Sequence, residues 1–407
     1  MQRALARGNR TLRIAVGVAG VTIAIAGLTA CGSDSSDGNA GKTSSDDTSA
    51  SNDAAPSVAN VEITAAEGCV PDTTTLAAGG VTIKVKNVDA TAVSEIELLS
   101  DERIVGEKEN LPPGLDGEFA ATVTAGDYTL YCPGATPEKT AITVTGEAAQ
   151  VSDDTAALLK QATEGYAAYV STQAGYLVAA VADLQTAIKS GDLAKAQEAY
   201  KKARPFYEKI EPVAESFVSG KQNLDADIDA RDGDVVPAKN WRGFHVIEKG
   251  LFQDKSLDGL DKVAARLLVD VKKLQSLTDG LTYQATELAN GAQELLDEMA
   301  TGKIIGEEER YSHIDLLDFA NNDEGAQQAF AQLKPVLEKI DPTLASTISD
   351  RFAALDTLLN SYRTGDDPSG FVLFTDLTKA DKLKLAAAVK AVQEPMSKVA
   401  SKVANVN

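Results

Sequence analysis

Only two histidines occur in 407 residues, and one of them, His245, lies in the run Gly243-Phe244-His245-Val246-Ile247-Glu248-Lys249-Gly250-Leu251-Phe252. Positions i and i+3 are neighbours on a helix at 3.6 residues per turn, so His245 and Glu248 present an imidazole nitrogen and a carboxylate oxygen on one face. Such a pair can hold one metal ion. Phe244, Ile247, Leu251 and Phe252 recur at helical spacing and form an apolar stripe that should face other helices. A competing reading is a partly buried helix whose His and Glu bond each other or the backbone. The tetrapeptide is too common to decide between the two.

Further carboxylates bear on that choice. Glu208, Glu211 and Glu215 are spaced to share one helix face, where three like charges repel unless a cation or water separates them. The acidic segment Asp225-Ala226-Asp227-Ile228-Asp229-Ala230-Arg231 reads as a loop joining that helix to the His245 helix. For Asp225 and Asp227 a solvated turn is the expected state. Oxygen donors with one neutral imidazole suit iron, manganese, zinc or copper rather than a thiolate-loving metal. His313, in Glu307-Glu308-Glu309-Arg310-Tyr311-Ser312-His313, reads as a supporting or docking residue, or as part of a capped helix start.

A second constellation lies upstream. Ala125-Gly126-Asp127-Tyr128-Thr129-Leu130-Tyr131-Cys132-Pro133-Gly134 resembles the end of a cupredoxin, where a strand delivers a Cys to the metal loop. Blue copper needs two imidazoles and a Cys, usually with an axial Met, and residues 58–146 contain neither His nor Met. That excludes it. Glu95 and Glu97 share one strand face, with Cys69 and Cys132 as neighbours. An even pair of cysteines in an oxidising compartment favours a disulfide; a carboxylate-rich second metal site using Glu95, Glu97, Cys69 and Cys132 is the alternative. No phosphate loop, Gly-x-Ser-x-Gly elbow or His-Glu-x-x-His helix is present.

The elements that must position these residues follow from composition and periodicity. Arg3, Arg7, Arg10 and Arg13 precede an apolar stretch from Ile14 to Leu28, the pattern of an export signal. It ends in Leu28-Thr29-Ala30-Cys31, which resembles the lipobox of bacterial lipoproteins and makes Cys31 the expected lipidation site. Residues 1–30 thus read as a lipoprotein signal peptide. Residues 31–57, rich in Ser, Asp, Gly and Thr, read as a disordered tether. Removing residues 1–30 takes the formal charge from −21 to about −25, which argues against nucleic acid and is compatible with cations.

Residues 58–147 alternate in the manner of half-buried strands, as in Val81-Thr82-Ile83-Lys84-Val85, with turn signals between the runs. From about Val151 to residue 407 the chain turns rich in Ala, Leu, Lys, Glu and Gln at helical period. Breaks fall at Lys189-Ser190-Gly191-Asp192, Gly220, Asp232-Gly233, Thr301-Gly302, Asp341-Pro342 and Thr364-Gly365. The expected fold is a multidomain β + α chain: an antiparallel β-sandwich over 58–147, then an all-α helical bundle over 151–407.

Taken together, the β-domain with Glu95-Ile96-Glu97 and Cys132, followed by Arg204-x-x-Tyr207-Glu208-x-Ile210-Glu211-Pro212, Ile228-Asp229-Ala230-Arg231, Gly243-Phe244-His245-x-x-Glu248 and Glu307-Glu308-x-Arg310-Tyr311-Ser312-His313, resembles the EfeO family of bacterial iron-uptake proteins. The resemblance implies a cupredoxin-like sandwich and an imelysin-like bundle, the latter sometimes classed with metallopeptidases. It implies an extracytoplasmic iron-binding component that works with a membrane iron permease and a haem-dependent peroxidase. Its metal site would fall on Glu211, Asp229, His245 and Glu248, with Glu208 beside them, and the β-domain counterpart on Glu95, Glu97, Cys69 and Cys132. With Cys31 lipidated, the expected location is the outer face of the cytoplasmic membrane.

The resulting expectation is a non-enzymatic lipoprotein that captures ferrous or ferric iron at a His-x-x-Glu carboxylate site and delivers it to a permease. An imelysin-like metallopeptidase, with the ion activating water, and a copper or zinc scavenger are the alternatives.

Overall fold

A computed structural model describes residues 55–406, apart from 220, 221, 234, 236 and 366–369. The expected signal peptide, Cys31 and most of the expected tether lie outside the described residues, as does the break at Gly220.

Nine strands come first: β1 (Val58–Thr64), β2 (Gly68–Pro71), β3 (Thr75–Ala77), β4 (Gly79–Asn87), β5 (Ile96–Ser100), β6 (Arg103–Lys108), β7 (Asp116–Val123), β8 (Gly126–Tyr131) and β9 (Lys139–Thr145). They form a four-stranded sheet in the order β2-β1-β4-β7 and a five-stranded sheet in the order β3-β9-β8-β5-β6. Strand β1 alternates exposed and buried residues strictly, and its inward Ala59, Val61 and Ile63 join Val81, Ile83 and Val85 of β4 in one core. Strands β5 and β6 are joined by Asp101 and Glu102, both with positive φ, as a two-residue hairpin turn of matching twist requires.

The sheets are not purely antiparallel, which corrects the expectation. Strands β1 and β4 run parallel, and so do β3 and β9. Between β1 and β4 the chain crosses to the other sheet to form β3, so β4 returns beside β1 in the same direction. Alternation along a strand reports which face is buried and carries no information about strand direction.

The helices are α1 (Asp153–Lys189), α2 (Leu193–Glu208), α3 (Leu224–Asp229), α4 (Phe244–Glu248), α5 (Leu260–Thr278), α6 (Ala285–Thr301), α7 (Asp315–Ile340), α8 (Pro342–Asn360), α9 (Lys379–Met396) and α10 (Val399–Ala404). Helix α1 is 37 residues long and buries Ala162, Tyr166, Val170, Ala174, Leu177, Val181, Leu184 and Ile188, a stripe at three-to-four-residue spacing that packs on α2, α5 and α7. Ser152 and Asp192 cap α1 and α2 by accepting the backbone N–H of Thr155 and Lys195. None of the described helices is long and apolar enough to cross a membrane.

The sandwich is fastened to the bundle along β6 and β7. Arg103 and Lys108 pair with Glu287 and Glu294 of α6, each at 3.1 Å. Asn290 donates to the backbone oxygen of Ala120 at 2.7 Å.

Candidate metal centre

Five segments converge on one buried polar cluster. Helix α2 supplies Tyr200, Arg204, Tyr207 and Glu208; α7 supplies Asp315, Asp318 and Asn322, at i, i+3 and i+7 on its inward face. Asp229 closes α3, and α4 carries His245 and Glu248. The connection from α6 to α7 adds Lys303, Glu308, Glu309, Tyr311 and Ser312. Two glycines allow the close approach. Gly243 has φ +100°, and a Cβ there would meet the Ile228 carbonyl oxygen at 2.2 Å, so α4 begins directly against the end of α3. A Cβ on Gly325 would lie 2.6 Å from the Lys209 oxygen, where α7 passes the end of α2.

His245 is 1 % exposed. Its Nδ1 lies 3.0 Å from Glu248 Oε2, and Glu248 Oε1 accepts the backbone N–H groups of Tyr311 and Ser312 at 2.7 and 2.8 Å. Nε2 makes no hydrogen bond and lies 3.6 Å from Asp229 Oδ1. Among the described residues, three sets offer potential metal-ligand atoms within 4.8 Å of one another: Asp229, His245 and Glu308; His245, Glu248 and Glu309; Glu208, Glu308 and Asp318. All three lie in this cluster.

Two buried cations thread the carboxylates. Arg204 donates to Asp229, pairs with Glu208, and reaches Glu309 at 3.0 Å and Asp318 at 3.1 Å. Lys303 Nζ contacts both oxygens of Glu211 at 2.7 Å and lies 3.6 Å from Glu208. Asn322 Nδ2 ties Glu208 to Glu211, donating at 2.8 and 2.7 Å. Tyr200 donates to Glu309 at 2.9 Å.

Comparison with known proteins places this arrangement. The imelysin family model (Peptidase_M75) matches residues 162–399, which hold every residue of the cluster. The chain is 36 % identical over 351 residues to "Iron uptake system component EfeO" of Escherichia coli strain K12, covering 85 % of this chain and 92 % of that one. The Shigella flexneri protein of that name matches to the same extent. That of Escherichia coli O1:K1 / APEC is 37 % identical over 336 residues, with 81 % and 88 % covered. The chain belongs to the EfeO family.

In this EfeO-family chain the charge states follow from burial set against the two cations. Burial works against the charged ring of His245, but Asp229 and Glu248 outweigh it and raise its pKa to about 10. Burial also opposes ionisation of Asp229, and Arg204 and His245 hold it below the ordinary carboxylate range. Glu248 is held down against burial by His245 and by the two backbone donors. Glu208, Glu211, Glu309 and Asp318 are pushed up, burial being the largest cause in each. The last four share too little positive charge to ionise freely.

The structure brings Asp229, His245 and Glu248 together and sets Glu208 beside them. Glu211 stands apart, on Lys303. Helix α2 stops at Glu208, and the chain tightens into a 3-10 turn over Glu211–Ser216, because Pro212 offers no N–H and disfavours a helical residue before it. The single helical face expected for Glu208, Glu211 and Glu215 therefore does not form. Nor is Asp225–Asp229 a loop: it belongs to α3, capped by Asn223, whose side chain accepts the Ala226 N–H at 3.0 Å. Asp225 is hydrogen-bonded by Tyr207, and Asp227 by Gln222 and Arg242, rather than standing in water. His313 lies in the irregular segment before α7 with φ +59° and belongs to none of the three ligand sets.

Sequence reasoning missed Glu308, Glu309 and Asp318 as partners of His245 or Arg204, and Lys303 as the partner of Glu211. A signal was present: Asp315, Asp318 and Asn322 interrupt Leu316, Leu317 and Phe319 at helical spacing, which puts polar groups on a face that must meet something polar.

In the sandwich, Cys69 and Cys132 form a disulfide. A bridged sulfur is no thiolate ligand, which removes both cysteines from the alternative metal site. Glu95 and Glu97 are 8 % and 4 % exposed, and Glu97 stands opposite Glu107 in the β5–β6 ladder.

Proposed function

We propose that this EfeO-family chain captures iron as cargo at His245 and passes it to a membrane permease. One observation carries the site assignment: a buried imidazole nitrogen, Nε2, that makes no hydrogen bond and lies 3.6 Å from Asp229, on a residue that forms a ligand set with Asp229 and Glu308. The other ring nitrogen faces Glu248, the usual arrangement behind a ligating histidine, where a carboxylate fixes the ring. Glu248 thus orients the ligand, while Asp229 and Glu308 face the ion with Nε2. Glu208 and Glu211 balance Arg204 and Lys303 one layer away.

Carboxylates favour the ferric ion, and the imidazole keeps affinity for the ferrous one. The relatives' name, iron uptake system component, supports iron as the cargo. We read the two-sheet domain as a cupredoxin-like module that serves docking. The lipid anchor at Cys31, placement on the outer face of the membrane, and partnership with a haem-dependent peroxidase belong to the same reading.

Competitive binding to the full chain with Fe(II), Fe(III), Cu(II) and Zn(II) tests it. Iron bound at one tight site supports the proposal. Tight copper or zinc with negligible iron contradicts it, as does metal-dependent cleavage of an unfolded protein substrate that is lost with His245.

A further inference from the structure

We infer that Arg204 is a resident cation standing where the incoming metal ion must be neutralised, and that it sets how tightly iron is held and how readily it leaves. The inference rests on the reading of His245 as the iron site.

Arg204 is wholly buried, and its guanidinium serves five carboxylates at once. Nη1 donates to Asp229. Nη2 pairs with Glu208 and lies 3.5 Å from Glu308 and 3.1 Å from Asp318, while Nε lies 3.0 Å from Glu309. Each of the three ligand sets contains at least one of these carboxylates. In the set of Glu208, Glu308 and Asp318, Nη2 touches all three members, which is the place a cation would take. In the set facing His245 Nε2, both carboxylates, Asp229 and Glu308, are already engaged by Arg204.

A guanidinium cannot surrender its proton in a protein, so this charge persists whatever enters. The side chain is also fixed from the other side, its Cζ lying 5.2 Å from the centre of the Phe244 ring. An ion at Nε2 therefore either takes Asp229 and Glu308 from Arg204 or shares them at close range with a positive charge. Both weaken binding. On release, the guanidinium recovers the same carboxylates, so the metal-free cluster is never left as uncompensated buried charge. A carrier that must give up its cargo gains from such a competitor; a storage site would not.

The alternative is that Arg204 merely scaffolds the ligands, and Arg204→Gln separates the two. The measurements are Fe(II) affinity, the rate of Fe(II) loss to a ferrous chelator, and the melting temperature with and without Fe(II), all on the full chain. The inference predicts affinity at least tenfold higher than wild type, slower loss, a less stable metal-free fold, and a larger rise in melting temperature on adding iron. Affinity equal to or below wild type in a folded variant overturns it. Should the variant fold only with iron, Arg204→Lys decides. Its compact ammonium reaches fewer carboxylates, so iron should leave more slowly than from wild type, and equal or faster loss overturns the inference. Absence of iron binding in wild type, or undiminished binding in His245→Ala, defeats instead the reading on which it rests.

Discussion

His245 and Glu248 hold each other across one helical turn, Nδ1 3.0 Å from Oε2, while the second oxygen of Glu248 takes the consecutive backbone N–H groups of Tyr311 and Ser312. The carboxylate is thereby anchored to the chain that brings Glu308 and Glu309 into the site, and the ring is aimed with Nε2 toward Asp229. An i, i+3 pair on a surface helix would supply only a weak local contact. Here it fixes which imidazole nitrogen faces Asp229.

Glu248→Gln tests that role. The amide oxygen still accepts the two backbone N–H groups, so the fold should hold. Its NH2 then faces Nδ1 where a carboxylate oxygen stood, so once the ring gives up a proton to bind an ion the remaining proton is no longer held on Nδ1, and Nε2 is a poorer ligand. Iron affinity should fall by about 10- to 100-fold with a melting temperature close to wild type. Full affinity would show that Glu248 does not orient the ring.

Gly243→Ala should separate α4 from α3. It forces a side chain into positive φ and onto the Ile228 carbonyl oxygen, a strain of about 2 kcal/mol before any clash is relieved. Denaturant unfolding should show at least that loss, accompanied by weaker iron binding as His245 and Asp229 move apart. A variant as stable as wild type would contradict the packing described for this corner.

Lys108→Met should make the joint between sandwich and bundle pH-sensitive. Burial raises the Glu294 carboxyl to about 7 from the ordinary 4.5, against the pull of Lys108. A carboxyl raised in the fold contributes stability below its unfolded value and loses it as pH rises through the folded one. Without Lys108 the folded value climbs further. The variant should be nearly as stable as wild type at pH 5 and about 3 kcal/mol less stable at pH 8, as expected for a buried charge deprived of its partner. An equal loss at both values would contradict the assignment.

Glu95→Ala/Glu97→Ala should leave the tight iron site intact, because neither residue joins a described ligand set. Loss of the tight site in this double variant would move the metal centre into the sandwich.

Much of this was legible in the chain. The His245–Glu248 contact follows from spacing alone, and the alternation of β1 and β4 marks their inward residues. Helix boundaries fall at Lys189-Ser190-Gly191-Asp192, Thr301-Gly302 and Asp341-Pro342, where glycine or proline stops the helical period. What spacing cannot supply is the company His245 keeps. Glu308 and Asp318 arrive from 63 and more residues downstream, and no local period links them to α4. The shared helical face expected for Glu208, Glu211 and Glu215 does not form because a helical count cannot be carried past Glu208, where α2 ends ahead of Pro212. The pairing of Arg204 with Asp229, Glu308, Glu309 and Asp318 is likewise tertiary, Glu208 alone lying one turn along the same helix. A lone arginine on an amphipathic helix reads as a surface charge until the partners that bury it are known.

The most direct measurement is iron affinity of His245→Ala beside wild type, each as the full chain, with melting temperature recorded in parallel. The account predicts that the variant keeps its fold and loses tight iron binding, by at least 100-fold. A folded variant that binds iron as tightly as wild type would contradict the assignment of His245 as the iron ligand and, with it, the site on which the proposed function rests.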